Sequence, residues 1–143
     1  MSVSARLIAR LVLGAWIVAG LFLTLQPAHP ALGQVVEHNF IPLRTIAIYL
    51  GNPESGFWIR QAIGNLLFLL PLGLLGPIAL PGLDRWWRVL LVAAALSLAI
   101  EVAQLWIPDR AFDVDDLLLN VIGAAIGYAI FSLVLRGAAR LRR

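Results

Sequence analysis

The sequence contains no cysteine and no lysine, and all 11 of its basic residues are arginines. The first absence excludes a disulfide framework and thiolate metal chemistry. The second excludes Schiff-base catalysis. Histidine is limited to His29 and His38, which lack the spacing of a tetrahedral zinc site and have no serine beside them for a Ser-His-Asp arrangement. Gly51, Gly56 and Gly64 match neither glycine fingerprint, and no Gly-Lys-Ser/Thr string exists, so nucleotide-binding loops are absent too. Charge is scarce: 13% of the 143 residues are ionisable at neutral pH, about half the share of a water-soluble domain.

The chain is instead 61% hydrophobic with a mean hydropathy of +0.89. That balance excludes a soluble globular protein, and it also excludes disorder, which needs low hydrophobicity and high net charge. The net charge of +3 comes from arginines set beside apolar runs. They form no continuous basic patch interleaved with aromatics, so they read as membrane-flanking charge and nucleic acid is not an expected partner.

Four stretches are long enough to cross a hydrocarbon core, which takes about 20 helical residues: Leu7 to Leu25, Phe57 to Leu80, Trp86 to Ile107 and Leu117 to Leu135. Two-residue alternation is absent, so the sequence predicts a single all-α membrane domain over residues 1–143 with four transmembrane helices. Between the first two spans, Pro42 can begin a helix whose Leu43, Ile46 and Leu50 share a face, and Gly51 can end it. This predicts a short interfacial helix in the first outer loop, before Asn52-Pro53 leads into the second span. Pro71 and Pro77, with Gly73 and Gly76, predict a bend in the second span. Gly123 and Gly127 predict close contact with a small-residue stripe on the third helix, Ala95, Ala99 and Ala103.

Arginine placement orients the bundle. Arg6, Arg10, Arg85, Arg88, Arg136, Arg140, Arg142 and Arg143 fall at one side, and Arg44, Arg60 and Arg110 at the other. The positive-inside rule then puts both termini in the cytoplasm, with Trp86 and Trp87 at the inner interface and Phe57, Trp58 and Trp106 at the outer one. An alternative reads the first span as a secretory signal cleaved near Ala31-Leu32-Gly33. The other three spans would still make the protein integral.

Within this topology the polar residues gather in the outer halves of the helices. Gln61 and Asn65 lie four apart in the second span; Ser97, Glu101 and Gln104 share one face of the third; Asp113, Asp116 and Asn120 run in a stripe with the two glycines of the fourth. The interfacial segment adds Asn39 and Arg44, and the last loop adds Arg110. The candidate site is therefore an outward-facing polar pocket of Asn39, Arg44, Asn65, Glu101, Gln104, Arg110, Asp113, Asp115, Asp116 and Asn120. An ionised carboxylate at the depth of Glu101 costs about 2.5 to 3.5 kcal/mol and needs a partner or a proton. Arg110 and Arg44 are the available cations, with Gln104, Asn65 and Asn120 as neutral donors; alternatively Glu101 simply ties helices together. The Asp113–Asp116 run has two readings as well. Asp113 can cap the fourth helix while Asp115 and Asp116 favour its dipole, or Asp113, Asp116 and Glu101 can hold a hard divalent cation such as Mg²⁺ or Ca²⁺. No other cofactor is expected.

Several strings together resemble the VanZ-like family of small bacterial membrane proteins: Asn39-Phe40-Ile41-Pro42-Leu43; Gly64-Asn65-Leu66-Leu67-Phe68 leading to Pro71-Leu72-Gly73; Glu101-Val102-Ala103-Gln104; and Phe112-Asp113-Val114-Asp115-Asp116 with Asn120 and Gly123. The resemblance runs from about Asn39 to Gly127. It implies a multi-pass protein of the bacterial cytoplasmic membrane and an association with tolerance of teicoplanin-type antibiotics, and it carries over no catalytic residue. The family's recurrent polar positions map onto Asn39, Asn65, Glu101, Gln104, Asp113, Asp115, Asp116 and Asn120; Val121 departs from the pattern, where a small hydroxyl residue is expected.

Three functions compete at this stage. The first is a cell-envelope protein whose outer-leaflet pocket binds the polar head of a lipid-linked cell-wall precursor or an amphiphilic antibiotic. The second is a membrane enzyme acting on lipid-linked substrates, with Glu101 as acid or base and the aspartates on a metal. The third is an assembly factor whose polar groups only hold helices together. A transporter would carry polar residues through the inner halves as well.

Overall fold

The computed structural model describes residues 2–27, 37–51 and 56–140. His29, the Ala31-Leu32-Gly33 cleavage site, Asn52-Pro53, Arg142 and Arg143 lie outside the described residues, as do the side chains of Phe57 and Trp58. The first span is α1 (Val3–Thr24), started by Ser2, whose hydroxyl accepts the Ala5 N–H at 3.2 Å. The interfacial segment forms α2 (Arg44–Gly51), which starts two residues after Pro42 and ends at Gly51 as the sequence suggests. The second span is α3 (Gly56–Phe68) followed by α4 (Leu70–Ala79), then a 3-10 turn at Pro81–Leu83. The third is α5 (Trp86–Gln104) and the last is α6 (Val114–Arg140). Four segments are long and apolar enough to cross a membrane: Val3–Thr24, Arg60–Ala79, Trp86–Gln104 and Val114–Ala138. Among the described residues there is no β-strand.

The break in the second span follows from Pro71, which has no N–H to donate and whose ring crowds the preceding turn. Around it the ladder tightens: Leu72 N–H turns to the Leu69 carbonyl at 3.1 Å, which leaves the Phe68 carbonyl without its helical partner. The indole of Trp16 takes it, donating at 2.9 Å. A sequence bend thus becomes the docking point for α1.

Helix α6 is the central element, packed against α3, α4 and α5. Its glycines do not meet the α5 alanines. A Cβ on Gly123 would strike the Leu66 carbonyl, and one on Gly127 would strike the backbone of Leu70 and Leu74, both in the second span. Gly73 on α4 is the reciprocal notch, facing the Ala124 carbonyl and Tyr128 nitrogen. The expected contact of Gly123 and Gly127 with Ala95, Ala99 and Ala103 is therefore replaced by one with α3 and α4, where Gly123 lets α6 approach the Leu66 carbonyl and Gly127 meets Gly73, a missing side chain on each backbone. Ala95 and Ala99 are exposed, and α5 turns inward the face carrying Ala93, Ser97, Ile100, Glu101 and Gln104.

Helix α1 is peripheral. It is buried only at Ala9 and Leu13 and packs along α4, with no comparable contact to α3 or α5. Side chains bonding to carbonyls fasten it: Arg10 Nε to Ala79 at 2.8 Å near the end that holds the termini, and Gln104 Nε2 to Thr24 at 2.9 Å at the α2 end.

Candidate functional site: a polar latch and a polar cavity

At the α2 end the polar residues divide into two groups. The first is a latch that joins α2 to the start of α6. Asn39 pairs with the segment before α6 through its own N–H to the Phe112 carbonyl at 2.8 Å and through the Val114 N–H to its carbonyl at 3.0 Å. Its side-chain amide donates to Asp113 Oδ1 at 2.8 Å and to Thr45 Oγ1 at 2.9 Å, while the Thr45 hydroxyl donates to Asp113 Oδ2 at 2.7 Å. Asp113 Oδ1 also accepts the Asp115 N–H at 2.8 Å, which is helix capping as the sequence allows.

Asp115 points away from its own helix. Its carboxylate accepts the N–H groups of Leu43 (2.5 Å), Thr45 (2.7 Å) and Ile46 (3.1 Å), so it caps α2 from about 70 residues away in sequence. It is wholly buried. Leu43 has φ 68°, a left-handed conformation costing a non-glycine residue roughly 1–2 kcal/mol. The bond from its N–H to Asp115 helps hold that conformation in place. Phe40 and Phe112 stack over the latch at 5.2 Å between ring centroids.

The second group lines a cavity of about 490 Å³ between α1 on one side and α3, α5 and α6 on the other, a volume that suits a small-molecule or head-group ligand. At its mouth stand Arg60 and Arg110; a turn deeper are Glu101 and Asp116; below them are Asn65 and Asn120, and the apolar wall includes Trp16, Leu23, Leu67, Phe68 and Ile100. Arg110 Nε donates to the Gln26 carbonyl at 3.0 Å. Among the described residues the ion pair Arg88–Asp84, at 2.7 Å, is at the other end of the bundle, and neither mouth arginine pairs with a carboxylate.

Glu101 is 2% exposed, and its partner is neither arginine. Oε2 accepts the backbone N–H of Asp113 at 2.8 Å, at the positive start of α6. Gln61 Nε2 reaches Asp116 Oδ2 at 3.4 Å, and Asn120 Nδ2 donates to Ser97 Oγ at 2.9 Å. Among the described residues, three buried polar atoms have no partner: Asn65 Nδ2, Asp116 Oδ1 and Asn120 Oδ1. All three belong to residues lining the cavity.

Of the ten expected site residues, Asn65, Glu101, Gln104, Arg110, Asp116 and Asn120 converge on the cavity. Asn39, Asp113 and Asp115 form the latch, and Arg44 is exposed at the start of α2. Among the described residues no three His, Asp or Glu side chains stand close enough to hold a metal ion. Glu101, Asp113 and Asp116 are separated in role because both Asp113 oxygens are engaged by Asn39 and Thr45. Sequence reasoning missed Thr45 and Trp16. It grouped Gln61 with Asn65 without placing it in the site, although that four-residue spacing was the available signal.

The fold and the cavity define a multi-pass all-α membrane protein with a partly polar chamber in its core. A family model described as VanZ/LLP1 matches residues 10–135. The chain belongs to the VanZ/LLP1 family. No curated protein and no solved structure matches it.

Proposed function

We propose that this is an envelope protein of the bacterial cytoplasmic membrane whose cavity binds the polar head of an amphiphile presented from the outer leaflet, either a lipid-linked cell-wall precursor or an amphiphilic antibiotic. The observation that carries this reading is the set of partnerless atoms on Asn65, Asp116 and Asn120 around one chamber. Each buried donor or acceptor left unmade costs about 1–3 kcal/mol, and a ligand that pairs with them removes the cost. The excess of arginine at the end opposite the cavity mouth supports an orientation with both termini in the cytoplasm and the mouth outside. Tolerance of teicoplanin-type compounds would follow from occupation of the chamber by the drug or by the precursor it targets.

Photolabelling tests the reading. A photoactivatable lipid-linked disaccharide and a photoactivatable teicoplanin are each added to outward-facing membranes. At least one should label the peptides carrying Trp16 to Thr24 or Arg60 to Phe68, and unlabelled compound should compete. Labelling confined to bilayer-facing positions such as Leu133 and Val134 rejects the chamber as a binding site.

A further inference from the structure

The chamber is not closed on all sides. The residues that α5 contributes to it, Ile100, Glu101 and Gln104, are buried, whereas Trp16, Leu23, Arg60, Gly64 and Leu67 on α1 and α3 are exposed. Helices α1 and α3 meet at Phe68, where Trp16 bonds the carbonyl and Gly20 lies against the ring, and do not pack along their length as α1 and α4 do. The opening therefore faces the bilayer sideways, between α1 and α3, at the depth of the α2-end leaflet. Gly64 lies on its edge, and a Cβ built there would meet no atom within 4 Å.

The polar lining specifies the head group. The two guanidinium groups at the mouth suit a phosphate, which arginine binds through several N–H donors at once. Deeper, the partnerless Asp116 Oδ1 and Asn120 Oδ1 are oxygens that require donors, while Asn65 Nδ2 requires an acceptor. Asn120 is 4% exposed and sits six residues into α6, about 9 Å along its axis. An ionised phosphodiester offers acceptors only and leaves both oxygens unpaired. A hydroxyl offers both a donor and an acceptor.

We propose, resting on the reading above, that the site takes a single phosphate-bearing lipid whose head group also carries hydroxyls, a polyol or saccharide phosphate, admitted sideways between α1 and α3. The phosphate sits at Arg60 and Arg110. The hydroxyls reach Asp116, Asn120 and Asn65, and the hydrocarbon chain stays between Trp16, Leu23 and Leu67.

The full chain in nanodiscs of phosphatidylcholine provides the test, with native mass spectrometry reading the lipid retained when the protein is released. The added probes are phosphatidylglycerol (phosphate with free hydroxyls), phosphatidylmethanol (phosphate without them), monoglucosyl diacylglycerol (hydroxyls without phosphate) and soluble glycerol phosphate. Phosphatidylglycerol should be retained at least tenfold over the other three, the scale expected from one or two buried hydrogen bonds. Gly64→Leu should abolish that preference with unchanged thermal stability, since the side chain fills open space; Gly14→Leu, which also meets nothing within 4 Å but lies outside the chamber, should leave it intact. Equal retention of phosphatidylglycerol and phosphatidylmethanol overturns the hydroxyl assignment while the binding site itself stands. Preference for soluble glycerol phosphate over the lipids, or a Gly64→Leu variant that retains phosphatidylglycerol normally, overturns sideways admission. No retention of any probe together with no photolabelling in the chamber rejects the underlying binding reading.

Discussion

The latch and the cavity are built from the same kinds of residue, on neighbouring turns of the same chain, and differ in whether their polar atoms are used. In the latch, Asp113 and Asp115 offer their carboxylate oxygens to Asn39, Thr45 and the backbone of α2, and each oxygen has at least one partner. In the cavity Asn65, Asp116 and Asn120 each keep one buried atom unpaired. A network whose members are all satisfied fixes a fold, whereas a partly satisfied one is a liability unless something else completes it. The contrast separates the carboxylates that join α2 to α6 from one carboxylate and two amides left with a spare polar atom around the chamber.

The largest expected effect breaks the latch. Asp115→Ala deprives three backbone N–H groups at the start of α2 of their acceptor and removes the bond at the left-handed Leu43. The donors are partly buried, so each falls at the lower end of the roughly 1–3 kcal/mol for a donor left unmade, and the summed loss is about 3 kcal/mol. Little folded, monodisperse protein should survive extraction, measured by size-exclusion fluorescence beside the wild type. Normal yield and melting temperature would show that the latch is ornamental.

The next change tests the boundary between the two regions. Glu101 belongs to both, accepting the Asp113 N–H and lining the chamber. Glu101→Gln keeps an oxygen for that N–H and removes the charge, so the melting temperature should fall by no more than about 1 kcal/mol of stability would dictate. Photolabelling of the chamber should drop several-fold. Unchanged labelling assigns Glu101 to the latch alone.

How far the sequence foretold this contrast depends on the distance over which each residue acts. The spans were legible because bilayer thickness sets a length that an apolar run must meet, and Pro71 announced the break through a local loss of one N–H. The polar face of Glu101 and Gln104, and that of Asp116 and Asn120, was legible from helical spacing. Asp115 was not, since three acidic residues at a helix start look alike in sequence, and only the fold brings Leu43 to one of them. The glycine stripe failed for the same reason. Gly123 and Gly127 signal a close neighbour, but nothing in their spacing says whether it is the second span or the alanines of α5.

The smallest expected effect on stability falls on the pair Asn120 and Ser97, and it bears most directly on the cavity. Asn120 spends one amide hydrogen on Ser97 and leaves its carbonyl oxygen unpaired at 4% exposure. Removing only one partner would strand the other, so the informative variant is the double change Asn120→Leu with Ser97→Ala. Replacing both members of a buried pair by apolar groups of similar shape is nearly neutral or stabilising, and here it also removes an orphaned acceptor. The melting temperature should stay level or rise by a few degrees, while chamber labelling falls several-fold because the deepest oxygen no longer meets the ligand. A double variant that unfolds would place Asn120 and Ser97 with the latch, as residues that hold α5 to α6. One that is stable and still labels normally would leave the orphaned oxygen without a role in binding.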